Sequence, residues 1–115
     1  MEVLIIRGGK PLNGEVRVGG AKNASLPIIA ASLLAPGLSS IEDVPRLKDI
    51  DTMCGVLSSL GANVSRSPKV IAVDASDISS VEPPYELVRA MRASFLVMGP
   101  LLARMGRVRV SLPGG

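Results

Sequence analysis

An α/β fold, with α+β as its close variant, is predicted by three observations. Short β-rich runs alternate with apolar helical stripes, glycine and proline fall at the joins, and the stripes are numerous enough to share a core. The 115 residues fall in the usual range for one domain, and a hydrophobic content of 47% excludes a disordered tail. Only Tyr85 and Phe95 are aromatic, so the core must be aliphatic.

Taken in order, Val3–Ile6 and Glu15–Val18 are β-rich and are separated by Gly8-Gly9-Lys10-Pro11-Leu12-Asn13-Gly14, which predicts two strands joined by a glycine-rich turn. A helix follows. Leu26, Ile29, Ala30, Leu33 and Leu34 share one face, and Ala24, Ile28 and Ala31 make the other nearly as apolar, so burial all round is expected. Pro36-Gly37 stops this helix, and Pro27 is read as close enough to its start to cost little. After a short β run over Leu38–Glu42, the residues Leu47, Ile50, Met53, Cys54, Leu57 and Leu60 form a second stripe that ends at Gly61 as a C-terminal cap. Ala62–Ser65 and Val70–Asp74 predict strands around a Ser67-Pro68 turn, and Glu82-Pro83-Pro84 is a connector. Val88, Met91, Phe95, Met98 and Leu102 make a third helical stripe, with a bend expected at Gly99-Pro100. Arg107–Leu112 alternates as a half-buried strand before Pro113-Gly114-Gly115.

Charge narrows the range of functions. Thirteen basic against ten acidic residues give +3 with no basic block, and with so few aromatics this favours small anionic ligands over nucleic acid. Without histidine and with Cys54 alone, neither a histidine-based triad nor a zinc cluster can be assembled. Cys54 lies on the second core stripe and reads as a small buried hydrophobe. The N-terminus lacks a signal peptide's features and the longest apolar run is too short to span a bilayer, so no membrane association and a cytoplasmic address are expected.

The unusual feature is Lys22-Asn23 placed where a helix begins, directly after Gly19-Gly20. Unpaired N–H groups and the macrodipole already make a helix start positive, so a lysine there opposes the ordinary preference for acidic residues. A phosphate or carboxylate would offset that cost; alternatively Asn23 is an ordinary N-cap and Lys22 a solvated side chain. Arg89 and Arg92 neighbour one another on the third stripe. Arg92 is open to two readings, a structural salt bridge or a two-pronged phosphate ligand. Lys48, Asp49 and Asp51 open the second helix and are adequately explained by capping, while Asp74, Asp77 and Glu82 read as turn and connector residues.

Together, "GGAKNASLPIIAASLLA", "VPRLKDIDTM", "LGANV", "YELVRAMRASFLVMGPLLARMG" and "VSLPGG" resemble the N-terminal part of the UDP-N-acetylglucosamine 1-carboxyvinyltransferase family, enolpyruvyl transferases, from about Ile6 to Gly115. The resemblance implies an inside-out α/β barrel built from βαβαββ repeats, of which this chain is roughly the first quarter. Residues 1–20 would belong to the second domain of the whole enzyme and 21–115 to the first. It implies that Lys22 and Asn23 meet phosphoenolpyruvate and the nucleotide sugar, with Lys22 catalytic, and that Arg92 contacts UDP-N-acetylglucosamine. The implied reaction adds the sugar 3-hydroxyl to C2 of phosphoenolpyruvate and then eliminates phosphate, with no metal or other cofactor, at the start of bacterial peptidoglycan synthesis and so in cell-wall biogenesis, cell shape and division.

In such enzymes a mobile loop with a reactive cysteine follows the Leu-Pro-Gly-Gly motif, just after the position of Gly115. This chain alone is therefore expected to lack turnover, its partner being the remaining polypeptide, and a nick or division at the glycine pair is a further expectation. Two alternatives stand beside this reading. A 3-phosphoshikimate 1-carboxyvinyltransferase starts the helix with Lys-Ser rather than Lys22-Asn23, and a non-catalytic relative would keep only the affinity for the sugar nucleotide.

Overall fold

The computed structural model describes residues 1–112, and the Pro113-Gly114-Gly115 motif lies outside them. Its elements are α1 (Lys22–Ala31), running into a 3₁₀ turn over Ser32–Leu34; β1 (Leu38–Ile41); α2 (Lys48–Ser59); β2 (Asn63–Ser67); β3 (Val70–Asp74); α3 (Tyr85–Ala90); a 3₁₀ segment over Arg92–Val97; and α4 (Met98–Met105). Helices and strands alternate as the sequence predicts.

The strands form one sheet in the order β1-β3-β2. β2 and β3 are a hairpin, with Ser67 opposite Val70 and Asn63 opposite Asp74. β1 pairs antiparallel on the other side of β3, Leu38 opposite Asp74 and Ile41 opposite Ile71. Since β1 and β2 both run against β3, they run the same way, and α2 is the crossover between them with β3 inserted in the gap. Period-two alternation turns Ile71 and Val73 of β3 into the core, where they meet Ile50, Met53, Val56 and Leu57 of α2 and Ile29 and Leu33 of the first helix. Cys54 is 6% exposed within this cluster, and burial pushes its thiol pKa up, which fits a small hydrophobe rather than a nucleophile.

α2 ends where expected. Gly61 has φ +109, and a methyl group on it would lie 2.7 Å from the Asp77 carbonyl oxygen, so glycine is required both by the turn and by the passing chain. The Leu60 carbonyl accepts bonds from the N–H groups of Ser79 and Ser80, tying the connector to the end of the helix.

Five expectations are corrected. Residues Val3–Ile6 and Glu15–Val18 form no strands; they are exposed and without regular structure, because β propensity becomes a strand only when a neighbouring ladder takes up its backbone groups. α1 is buried on one face only: Ile28 and Leu34 are 52% and 51% exposed, while Leu26, Ile29, Ala30 and Leu33 are buried. Pro27 is the sixth residue of α1, past the first turn, so the Asn23 carbonyl loses its usual donor four residues on. The third stripe breaks at Met91, which is extended at φ −151, upstream of the bend expected at Gly99-Pro100; Pro100 is the third residue of α4, a position where a backbone N–H would have no partner within that helix, so proline's lack of one costs no bond there. Finally, Arg107–Leu112 is not a strand: the Arg109 N–H donates to Val81 O at 2.9 Å, but no ladder continues from it.

Candidate functional site at the mouths of the first two helices

Gly19 and Gly20 differ in their surroundings. A methyl group on Gly19 would meet nothing within 4 Å, whereas one on Gly20 would lie 1.7 Å from the Asp43 carbonyl oxygen. Gly20 is therefore needed for backbone approach to Asp43, itself a non-glycine residue at φ +56. Arg17 donates to both carboxylate oxygens of Asp43 at 3.3 Å, closing a clasp just ahead of α1. Helix α1 then starts from Ala21, whose carbonyl accepts from the Ser25 N–H at 2.9 Å and the Ser25 hydroxyl at 2.8 Å.

Lys22 and Asn23 are the first two residues of α1, and Asn23 is exposed. The N-cap is Ala21, which has no side chain able to cap, so the reading of Asn23 as the cap is wrong. The Lys22 Nζ lies 2.9 Å from Oδ2 of Asp49 in the first turn of α2, an ion pair linking the two helix starts. Both side chains keep roughly two-fifths of their surface open to solvent. α2 also has no side-chain cap, its N-cap being Leu47. Asp49 and Asp51 instead form ion pairs, Asp49 with Lys22 and Asp51 with Arg66 of β2. Capping alone does not account for them.

Beside the start of α2 lies a cleft of about 560 Å³ lined by Arg46, Lys48, Asp51, Arg66, Ser67 and Pro68. A smaller hollow of about 290 Å³ runs from Arg17 and Gly20 past Asp43 to Lys69. Basic side chains gather on these walls although the sequence has no basic run. Lys22, Asn23 and Arg92 line neither hollow.

Arg92 is exposed at the start of the 3₁₀ segment, which packs against both α1 and α2. Among the described residues no ion pair involves Arg92 or Arg89, so the structural salt bridge is not formed. A third arginine escaped sequence reasoning. Arg104 of α4 donates to the carbonyls of Leu33, at 3.0 Å, and Ser76, at 3.3 Å, joining the end of the first helix to the turn after β3. Its partners are main-chain atoms, which leave no signal in side-chain spacing. Asp74, read as a turn residue, accepts from the Ser76 hydroxyl at 2.6 Å and the Ser76 N–H at 3.0 Å, and these bonds lower its pKa.

The chain is 59% identical over 115 residues to a UDP-N-acetylglucosamine 1-carboxyvinyltransferase of Trichlorobacter lovleyi, covering all of this chain and 27% of that protein. Proteins of the same name from Geobacter metallireducens and Sorangium cellulosum are each 55% identical over 115 residues, covering all of this chain and 28% and 27% of theirs. This chain thus spans about a quarter of the length of the curated relatives it matches. Among solved structures, the enolpyruvyl transferase NikO from Streptomyces tendae superposes with a TM-score of 0.72 at 28% identity, covering 86% of this chain and 23% of that one. The family model described as EPSP synthase (3-phosphoshikimate 1-carboxyvinyltransferase) matches residues 6–115, and over that span the chain belongs to the EPSP synthase family.

Proposed function

We propose that this chain is the opening segment of an enzyme that transfers the enolpyruvyl group of phosphoenolpyruvate to the 3-hydroxyl of UDP-N-acetylglucosamine and releases phosphate. The observation that carries this reading is 54–59% identity, over the whole chain, to several proteins named for that activity. Residues 1–20 would belong to the second domain and 21–115 to the first. The bacterial cytoplasm is the expected site, and peptidoglycan precursor synthesis the expected process, with its consequences for cell shape and division.

The chemistry asked of this segment is electrostatic. The phosphate is anionic throughout, and when the bond from C2 to its oxygen breaks after addition of the sugar hydroxyl the electron pair goes to the leaving phosphate; a fixed ammonium at a helix N-terminus stabilises that charge. Lys22 supplies the ammonium. Asn23, exposed beside it, can donate to and accept from a sugar hydroxyl, and its main-chain carbonyl is deprived of its usual helix donor by Pro27. Arg92, with no ion-pair partner among the described residues, retains its planar donors for a diphosphate. The proton donor, a loop cysteine expected after Gly115, and the general base would come from the remaining polypeptide. Purified as the only chain, confirmed by intact mass, this segment should show no turnover; product from it alone would overturn that expectation.

A second reading, transfer to shikimate 3-phosphate, draws support from the description of the matching family model. Lys22-Asn23 argues against it, since Lys-Ser is the pattern of that branch. Calorimetry on the complete protein separates the two: UDP-N-acetylglucosamine should bind and shikimate 3-phosphate should not, and the reverse would overturn the assignment.

A further inference from the structure

Sequence alone gives Asp49 no task beyond suiting a helix start, yet the structure supplies it with a partner from another element. Lys22 is the first residue of α1, and the partial positive charge of that helix end repels its own ammonium. On a flexible four-carbon stem, such a group would otherwise spread over many rotamers and lean toward solvent. Asp49, the second residue of α2, sits where the dipole favours a carboxylate. The two helices pack side by side, and the ammonium of one meets the carboxylate of the other at 2.9 Å.

We propose that Asp49 is a positioning residue for Lys22, holding its ammonium at the shared mouth of α1 and α2 so that a phosphate-bearing substrate meets it already aimed. This rests on the role given to Lys22 under the proposed function. Three observations favour positioning over a merely structural bridge. With side-chain exposures of 41% and 36%, the pair is too open to water to contribute much to the fold. Asp49 meets the ammonium from one side only, through Oδ2, and an ammonium carries three donors with which to meet an incoming anion as well. Asp51, the other acid of that turn, is engaged by Arg66, so the two carboxylates serve different partners.

The test uses the complete protein containing this segment, assayed by phosphate release with each substrate varied in turn. Asp49→Asn keeps the shape and removes the charge; it should lower kcat/KM for phosphoenolpyruvate by about tenfold, the equivalent of losing roughly 1.4 kcal/mol. The KM for UDP-N-acetylglucosamine should stay within about twofold, and the melting temperature should hold, as expected for an exposed ion pair. Asp49→Glu restores the charge on a longer arm and should recover most of the loss. An unchanged or improved kcat/KM in Asp49→Asn, an equal loss for both substrates, or no recovery in Asp49→Glu would overturn the proposal. Absence of turnover in the unaltered protein would instead refute the reading of function, so the two failures are distinguishable.

Discussion

Replacing Gly20 by alanine should damage catalysis and stability together, and Gly19→Ala supplies its own control. The added methyl would lie 1.7 Å from the Asp43 carbonyl oxygen, so the chains must part by at least about 1.3 Å to reach even 3.0 Å, the near edge of real contacts. Neither side yields easily, because Asp43 is held at φ +56 with its carboxylate on Arg17, and Gly20 leads directly into the Ala21 cap of α1. Overpacking of this kind costs about 1–3 kcal/mol, which shifts a urea midpoint by roughly 1 M. The displaced backbone lies two residues from Lys22, and a shift of about 1 Å in a reacting group costs on the order of a hundredfold in rate. Urea titration followed by circular dichroism and phosphate-release kinetics on the complete protein measure both. Gly19→Ala, with nothing within 4 Å of its methyl, should leave both unchanged. A Gly20→Ala protein indistinguishable from Gly19→Ala would refute the reasoning.

Two further predictions concern ionisation. Hydrogen bonds from the Ser76 hydroxyl and N–H depress the Asp74 pKa in the folded state, so their stabilisation is present above the ordinary carboxylate range and is lost as pH falls through the depressed value. Ser76→Ala should therefore lower the urea midpoint at neutral pH by an amount that shrinks in acid, and a pH-independent difference would contradict this. Cys54 carries the opposite sign: burial raises its pKa, so its contribution to stability is full below the ordinary thiol range and is lost as pH rises toward the raised value. Iodoacetamide at pH 8 should leave Cys54 unmodified in the native protein and alkylate it in urea; rapid native labelling would show that the thiol is not in the core.

Where the code is local, sequence reading and structure agree. α2 is marked by its 3.6-residue stripe and closed by Gly61, and the β2–β3 hairpin by its β-rich runs around Pro68, so each carries its own signal. The third helical stripe misled for a physical reason. Its buried residues are Val88, Met91, Ser94, Val97 and Leu101: the extended Met91 and the 3₁₀ segment over Arg92–Val97 interrupt the 3.6 period, so Phe95 and Met98, placed on the core face by that period, turn only partly inward and Leu102 is exposed. Fully buried Ser94 was the missed clue: its hydroxyl donates to the Met91 carbonyl at 2.6 Å, a bond that lets a polar residue occupy the core. The N-terminal runs failed differently, since alternation marks a segment as able to pair without identifying its partner.

At the candidate site, composition and position were enough to single out Lys22 and Asn23, because an amine at a helix start contradicts the usual electrostatic preference. Its counter-charge was not legible. Lys22 and Asp49 are brought together only when α1 and α2 pack, and within the sequence Asp49 looks like any acidic residue in a first turn. The reading of Gly19-Gly20 as a pair open to close approach by a ligand also changes, for Gly20 is occupied by the Asp43 backbone and only Gly19 is open.

Kinetics and stability of Lys22→Ala in the complete protein, measured on one preparation, test the role of this ammonium most directly. Loss of a half-exposed ion pair, offset by relief of its repulsion with the helix start, should change stability by less than about 1 kcal/mol. Loss of a fixed charge facing a departing phosphate should lower kcat/KM for phosphoenolpyruvate on the order of a hundredfold or more. A variant that keeps its turnover, or that loses activity only in proportion to lost folding, would contradict the account.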